Sequence, residues 1–486
     1  MKKNFIYNFL LTGSNLLFPL LTFPYLSRIL GANGLGICNF IISYGQNYII
    51  IAALGIPVYG IREIAKVGDD KSLRSKLFFE ILSIHFFTTC LLLVIYFVSI
   101  FLYADLRQYK ELALLGGSLI LFNVFSLEWL FTGVNDFKYI TIRSVIIRAL
   151  SVIAIFLLVK KSNDFIIYFI IMIITVFATV LMDVYYSRKF INSQIALTLK
   201  GVFAHLKAVA VLGLYMVLTS IYAVLPSTLL GFLSTKSAVG YYYGANKIIR
   251  MVISVFSALI TVMIPKLNLT VEQKQHDEYV LLINKALNAV ISFGIPITFF
   301  VFLLADHIVM LLAGEEFINS VFVIKVMAPI ILMVAFAQIF VLLILSVNRK
   351  DKQMILLSAV GMTISLIINL AFIPNFAERA TGFSQLISEF FVTLLAFSFS
   401  KKILTFDFPV RKLILNLLYV IPFVVVTYLC NLTFDSNFLI IILSGLLCGI
   451  YFILYQYFIL KDNLILEIVD RYLVYANQKN RPLTQN

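Results

Sequence analysis

Lys247 and Arg250 lie near the middle of a stretch long enough to cross a bilayer. The run from Ala238 to Ile264, AVGYYYGANKIIRMVISVFSALITVMI, is otherwise largely apolar. At about 1.5 Å of rise per residue both cations sit well over ~10 Å from either end, too deep for an easy reach to a headgroup. A lone cation at that depth costs at least about 2.5–3.5 kcal/mol. Lys247, Arg250, Ser254, Ser257 and Thr261 follow i, i+3, i+7, i+10, i+14 spacing, which gathers them on one helical face. Such a face either lines a hydrated cavity that accepts an anion or is buried against carboxylates to fix helix packing. The cavity is the expectation, because ionisable groups inside a membrane mark function by default.

Further charges stand in or beside apolar runs. Arg148 lies two turns into its run, Arg143, Arg62 and Lys66 sit at the ends of theirs, and Arg28 closes the first. Lysine meets phosphate oxygens as a point charge and arginine meets them bidentately, so all seven cations are candidates for an anion path. For Arg62, Lys66 and Arg143 the competing reading is plain anchoring at a membrane face. The acids in apolar runs are Glu128, Asp183 and Glu389. Each is read as a counter-ion for a cavity cation or as a protonation site that couples movement to a proton gradient. The four histidines match no metal spacing, the four cysteines fall inside apolar segments, and no Gly-rich Lys-Ser/Thr loop for ATP is present. No cofactor is expected.

These residues must be carried by membrane helices. Hydrophobic residues make up 61 % of the 486 and the mean hydropathy is +1.00, values outside the range of soluble globular domains. The net charge of +14 is spread in short groups between apolar runs, which speaks for membrane topology and against nucleic acid. Taking about 20 residues per crossing, the sequence divides into about fourteen spans. They lie near 5–27, 37–60, 77–102, 112–133, 142–159, 165–186, 209–232, 238–264, 281–304, 321–346, 354–373, 382–400, 412–430 and 438–460. The opening Met1-Lys2-Lys3 precedes a run too long for a cleaved leader, so it is read as the first span. With the amino terminus inside, the clusters at Arg62 to Lys76, Arg188/Lys189, Arg349 to Lys352 and Lys401 to Lys412 all land on one side, and both termini are cytoplasmic.

A polar stretch from Ser187 to Ala208 separates six spans from six. The expected organisation is a lobe over 1–200, a second over 201–402, and two added helices with a cytoplasmic tail over 403–486. An internal repeat supports the division. Leu30 to Gly36 ahead of span two resembles Leu233 to Gly240 ahead of span eight, and aligning Gly36 with Gly240 sets Ser43 and Gln46 opposite Lys247 and Arg250. Thr12, Asn15 and Pro19 are spaced like Thr219, Tyr222 and Pro226. The two repeats would be related by an axis along the membrane normal. Trp129 reads as part of an interfacial aromatic belt.

Several stretches together resemble one family. SNLLFPLLTFPYLSRILGANGLG (Ser14 to Gly36), LGIPVYGIREIAK (Leu54 to Lys66), EWLFTGVNDFKYITIRSVIIR (Glu128 to Arg148), GYYYGANKIIR (Gly240 to Arg250) and LAGEEF (Leu312 to Phe317) are similar to the Wzx-type flippases of the multidrug/oligosaccharidyl-lipid/polysaccharide exporter superfamily. The resemblance implies an all-α bundle of two six-helix lobes plus a helix pair, in a bacterial cytoplasmic membrane. It implies a substrate, too: an undecaprenyl-diphosphate-linked oligosaccharide passed to the outer leaflet for O-antigen, capsule or a related polymer. Membrane lipids and a polysaccharide polymerase complex would be its neighbours. One departure follows Trp129, where Gly133-Val134-Asn135-Asp136 puts asparagine at the position that usually holds an acid, with the acid one place later. The alternatives are a drug or organic-ion exporter of the same superfamily, whose path would be lined by acids, and a membrane polymerase or glycosyltransferase, for which a large outer loop or an acid cluster would be expected.

Overall fold

The computed structural model describes residues 2–192 and 199–460, and every regular element among them is helical. The first half holds α1 (Lys2–Ala53), α2 (Ile56–Val67), α3 (Lys71–Leu102), α4 (Ala104–Gln108), α5 (Lys110–Asn123), α6 (Glu128–Gly133), α7 (Phe137–Leu158) and α8 (Phe165–Ser187). The second half continues with α9 (Leu199–Leu233), α10 (Lys236–Glu272), α11 (His276–Leu303), α12 (Ala305–Leu312), α13 (Asn319–Met327), α14 (Ile330–Gln338) and α15 (Asp351–Lys401). The chain closes with α16 (Val410–Tyr419), α17 (Ile421–Thr433) and α18 (Asn437–Leu454). The tail assigned to 461–486 and the side chains of Thr12 and Asn15 lie outside the described residues.

Among the described residues, twelve stretches are long and apolar enough to cross a bilayer, and two of them run 51 residues. A straight helix of that length would reach about 75 Å, more than twice the hydrocarbon thickness. Each carries a reversal instead. In α15 the break is Ala377 (φ 47°, ψ −128°). Across it Asn369 Nδ2 donates to Ser384 Oγ (2.7 Å) and Ser384 Oγ donates to the Ser365 carbonyl (3.2 Å). Residues 19 apart would be about 28 Å apart along a straight helix, so the arms lie side by side. In α1 the break is Gly31 (φ 67°). Tyr25 OH on one arm donates to the Val159 carbonyl (2.6 Å), and Cys38 Sγ on the other donates to the Phe165 carbonyl (3.3 Å), so both arms reach one connection between α7 and α8.

Large apolar side chains cover the outside. On α3, Phe87, Leu91, Val94 and Val98 form a stripe at i, i+4, i+7, i+11 that is 51–71 % exposed. A water-facing helix would not carry such a stripe, and lipid is the solvent that suits it. The protein is a multi-pass membrane protein.

The repeat read from the sequence has a structural counterpart. A methyl group on Gly36 would overlap the Lys236 carbonyl, and one on Gly240 would overlap the Ala32 carbonyl. Each glycine therefore receives the backbone four residues ahead of the other, as a local two-fold relation between the arms of α1 and α10 requires. Only glycine permits two helix backbones to approach so closely.

Two expectations are corrected. The expected linker over Ser187 to Ala208 ends early, because α9 begins at Leu199, ahead of its apolar crossing at Met216–Leu233. Its polar start is helical because Val202, His205 and Val209 pack on α2 and α3. Residues 193–198, the middle of the expected linker, lie outside the described residues. Trp129 is 4 % exposed and stacks on Phe78 (5.6 Å between centroids), beneath Gly60. It is a core residue of the first half and not part of an interfacial belt.

Candidate functional site

A cavity of about 330 Å³ opens between α1, α7, α8 and α10, and among its lining residues are Thr22, Arg148, Ser151, Thr175, Tyr243 and Lys247. Arg148 comes from α7 in the first half and Lys247 from α10 in the second, so the cavity lies between the halves. Arg148 Nη1 donates to Ser14 Oγ (2.9 Å), and Ser14 Oγ donates to the Leu11 carbonyl (2.7 Å), which fixes the guanidinium against the first arm of α1. Lys247 stands one turn beyond Tyr243, its Nζ 5.6 Å from that ring's centroid. Among the described residues no carboxylate comes within 4.0 Å of either cation. Glu128 acts on Arg148 from beyond that distance, and the chamber that the two cations share is partly apolar.

Arg250, one turn past Lys247, is exposed and donates through Nε to Asn246 Oδ1 (3.4 Å). Its charge acts on Glu389. Glu389 is buried and accepts from Tyr222 OH and Gln385 Nε2, both at 3.2 Å. Further along the polar face, Ser257 Oγ accepts from Gln338 Nε2 (2.8 Å), so this end of the face meets α14.

Arg143 is placed elsewhere. It is 3 % exposed and pairs closely with Asp183, with Glu128 Oε2 at 3.4 Å from Nη2. Asp183, fully buried, also accepts from Tyr139 OH (3.2 Å) and the Leu127 amide (3.3 Å). Five residues separate Arg143 from Arg148, about 140° of helical rotation, so the two point to different sides of α7. Arg143 and Asp183 neutralise each other inside the first half. Arg62 is exposed, and Lys66 is exposed and paired with Glu63 (2.7 Å). Arg28 stands by the Gly31 reversal, where its Nη2 donates to the Leu311 carbonyl (2.5 Å) and its Nη1 to the Pro24 carbonyl (3.4 Å).

The end of the molecule around Gly31 is held shut between the halves by residues that the sequence reading did not single out. Glu316 Oε1 accepts the Ala32 amide (3.0 Å) and fills the space beside Gly31. Ser27 Oγ donates to the Leu312 carbonyl (3.1 Å). Lys236 is buried, pairs with Asp105 (2.9 Å) and lies over the Phe40 ring (4.2 Å). Glu316 belongs to the LAGEEF stretch, which was a signal for the family but offered no partner by itself.

The fold is that of a multi-pass helical membrane protein with a cavity among α1, α7, α8 and α10. Residues 1–271 match the sequence profile of the family described as "Polysaccharide biosynthesis protein", and the chain belongs to that family. The "Putative O-antigen transporter" of Escherichia coli (strain K12) is 25 % identical over 405 residues, which are 82 % of this chain and 96 % of that protein. A protein of the same name from Shigella dysenteriae is 27 % identical over 254 residues, 51 % of this chain and 62 % of its own. Among solved structures, the fold resembles that of the lipid II flippase MurJ in an inward closed conformation, with a TM-score of 0.77 and 16 % identity over 94 % of this chain and all of that one. It also resembles an outward-facing multidrug resistance MATE family transporter of the MOP superfamily, with a TM-score of 0.50 and 12 % identity over 82 % of this chain and 93 % of that one. The chain thus combines membership of the polysaccharide biosynthesis protein family with a fold like that of these two membrane proteins.

Proposed function

We propose that the protein flips an undecaprenyl-diphosphate-linked oligosaccharide, an O-antigen or capsule repeat unit, across the bacterial cytoplasmic membrane. In this reading both termini are cytoplasmic and the closed end around Gly31 faces outward. The lipid headgroup enters the cavity from the cytoplasmic side, and the halves then part at the closed end to release it outward. The observation that carries the reading is that Arg148 and Lys247, one from each half, line a single cavity with no carboxylate within 4.0 Å of either among the described residues. A diphosphate in transit needs positive groups and water in place of its hydration shell. The relatives named as O-antigen transporters and the flippase fold of MurJ support the same substrate class. A cation exporter is the weaker reading, because the buried acid Asp183 is already neutralised by Arg143. Proton or ion coupling supplies direction, and a polysaccharide polymerase takes the product.

The test is transport of a fluorescent prenyl-diphosphate oligosaccharide in proteoliposomes. Losing a charge-assisted contact worth about 1.5–3 kcal/mol slows transport roughly 10- to 100-fold at limiting substrate. Arg148→Ala and Lys247→Ala are each expected to lose that much, and Lys247→Arg to retain most activity. Wild-type rates in both alanine variants, at equal reconstitution, overturn the proposal.

A further inference from the structure

The cavity between the halves is layered. α10 starts at the closed end, where Gly240 meets Ala32, so Tyr243 stands one turn nearer that end than Lys247. α7 finishes there, with the Val159 carbonyl bonded to Tyr25, so Ser151 stands nearer it than Arg148. α8 begins there and carries Tyr168 in its first turn. From Lys247 to Gly240 is seven residues, about 10 Å of rise. Phe23, which also lines the cavity, meets the Tyr243 ring edge-on (6.1 Å between centroids) and the Phe317 ring likewise (6.3 Å), next to Glu316. The hydroxyls of this layer are uncommitted. Thr22 and Thr175 donate back to their own helices, to the Phe18 carbonyl (3.0 Å) and the Ile171 carbonyl (2.7 Å). Among the described residues, Ser151 Oγ and the Tyr168 and Tyr243 hydroxyls have no hydrogen-bond partner, and all three residues line the cavity.

We propose that the layer between the two cations and the closed end is a recognition site for the sugar bonded directly to the diphosphate, and that Ser151, Tyr168 and Tyr243 set which sugar is carried. The proposal rests on the cavity being the path of a diphosphate-linked oligosaccharide. With the diphosphate on Arg148 and Lys247 and the prenyl chain trailing toward the open end, the group ahead of it is that sugar. A sugar presents hydroxyls at its rim and apolar C–H groups on its faces. The layer supplies a complement to each, in three hydroxyls that can donate or accept and in the rings of Tyr168 and Tyr243. An alkyl chain or an apolar drug would leave those hydroxyls unpaired, which weakens binding. A cavity of about 330 Å³ is at the low end of small-molecule sites, so recognition reaches the nearest sugar and not a whole repeat unit. A site that bonds a particular hydroxyl discriminates strongly against a sugar that lacks it or turns it away.

Fluorescent prenyl diphosphates carrying a single glucose, galactose, N-acetylglucosamine or N-acetylgalactosamine, and the sugar-free prenyl diphosphate, are compared in proteoliposomes of the full-length protein. The fastest and slowest of the four sugars are expected to differ roughly 10-fold or more in the wild type. Ser151→Ala, Tyr168→Phe and Tyr243→Phe each remove one hydroxyl and keep the helix or ring in place. Each is expected to compress that ratio roughly 3- to 10-fold, the worth of one neutral hydrogen bond, and the triple variant to abolish it. A ratio of two rates in one preparation does not depend on how much of the protein is folded. Arg148→Ala, in contrast, should slow every substrate and keep the ratio. Four sugars carried at one rate by the wild type, or a wild-type ratio in the triple variant, overturns the sugar site and leaves the diphosphate path standing. No transport of any prenyl diphosphate, the sugar-free one included, overturns the path and the sugar site together.

Discussion

Arg143 and Asp183 show how an ionisable residue inside a membrane can serve the scaffold. Asp183 is fully buried and takes donors from three directions, the Arg143 guanidinium, Tyr139 OH and the Leu127 amide. Removing one partner of such a pair leaves the other charge stranded, at about 3–5 kcal/mol. Asp183→Ala is therefore expected to lower the thermal midpoint and yield of the purified protein sharply. Arg143→Met combined with Asp183→Leu should recover most of that loss, measured by thermal unfolding in detergent. The acid displaced by one place from the family pattern has a comparable scaffold role: Asn135 takes a left-handed turn (φ 59°), and Asp136 caps α7 through the Tyr139 amide (3.3 Å) while accepting from Tyr186 OH (2.7 Å). The sequence marked these residues as unusual, because charges inside apolar runs stand out. It did not reveal which were paired, since a partner 40 residues away is found only by folding. The five-residue offset between Arg143 and Arg148 was the one available signal that both do not face the same space.

Among the elements, the spans were legible because lipid demands a minimum apolar length and tolerates no exposed backbone. The start of α9 was not, because polar residues that satisfy one another across helices read as a loop. The reversals are unequal in their chemistry. Gly31 adopts its positive φ freely, whereas Ala377 holds φ 47° and ψ −128° with a side chain in place. Such a conformation costs a non-glycine residue about 1–3 kcal/mol. Ala377→Gly is expected to raise the thermal midpoint with transport unchanged, and a lower midpoint would mean that the methyl group contributes more through packing than it costs in strain.

For the whole molecule, the asymmetric placement of Lys and Arg sets a topology that reporters can check. A fluorescent protein fused after Asn486 should be bright and alkaline phosphatase fused there inactive, while phosphatase inserted in the connection between α17 and α18 should be active. The reverse pattern would invert the proposed direction of transport. The repeated glycine stretch was legible. That the halves meet through those same stretches was not, because a repeat in sequence does not say whether its copies touch.

The mutual seating of Gly36 and Gly240 bears on how such a chain evolves. Each duplicated segment supplies both a notch and the carbonyl that fills its sister's notch. A bulkier residue on one side is relieved only by backbone displacement in the opposite segment, so substitutions at the two positions are expected to be constrained together. A hybrid assembled from lobes of two distant relatives would fail first at this crossing, however well each lobe folds alone.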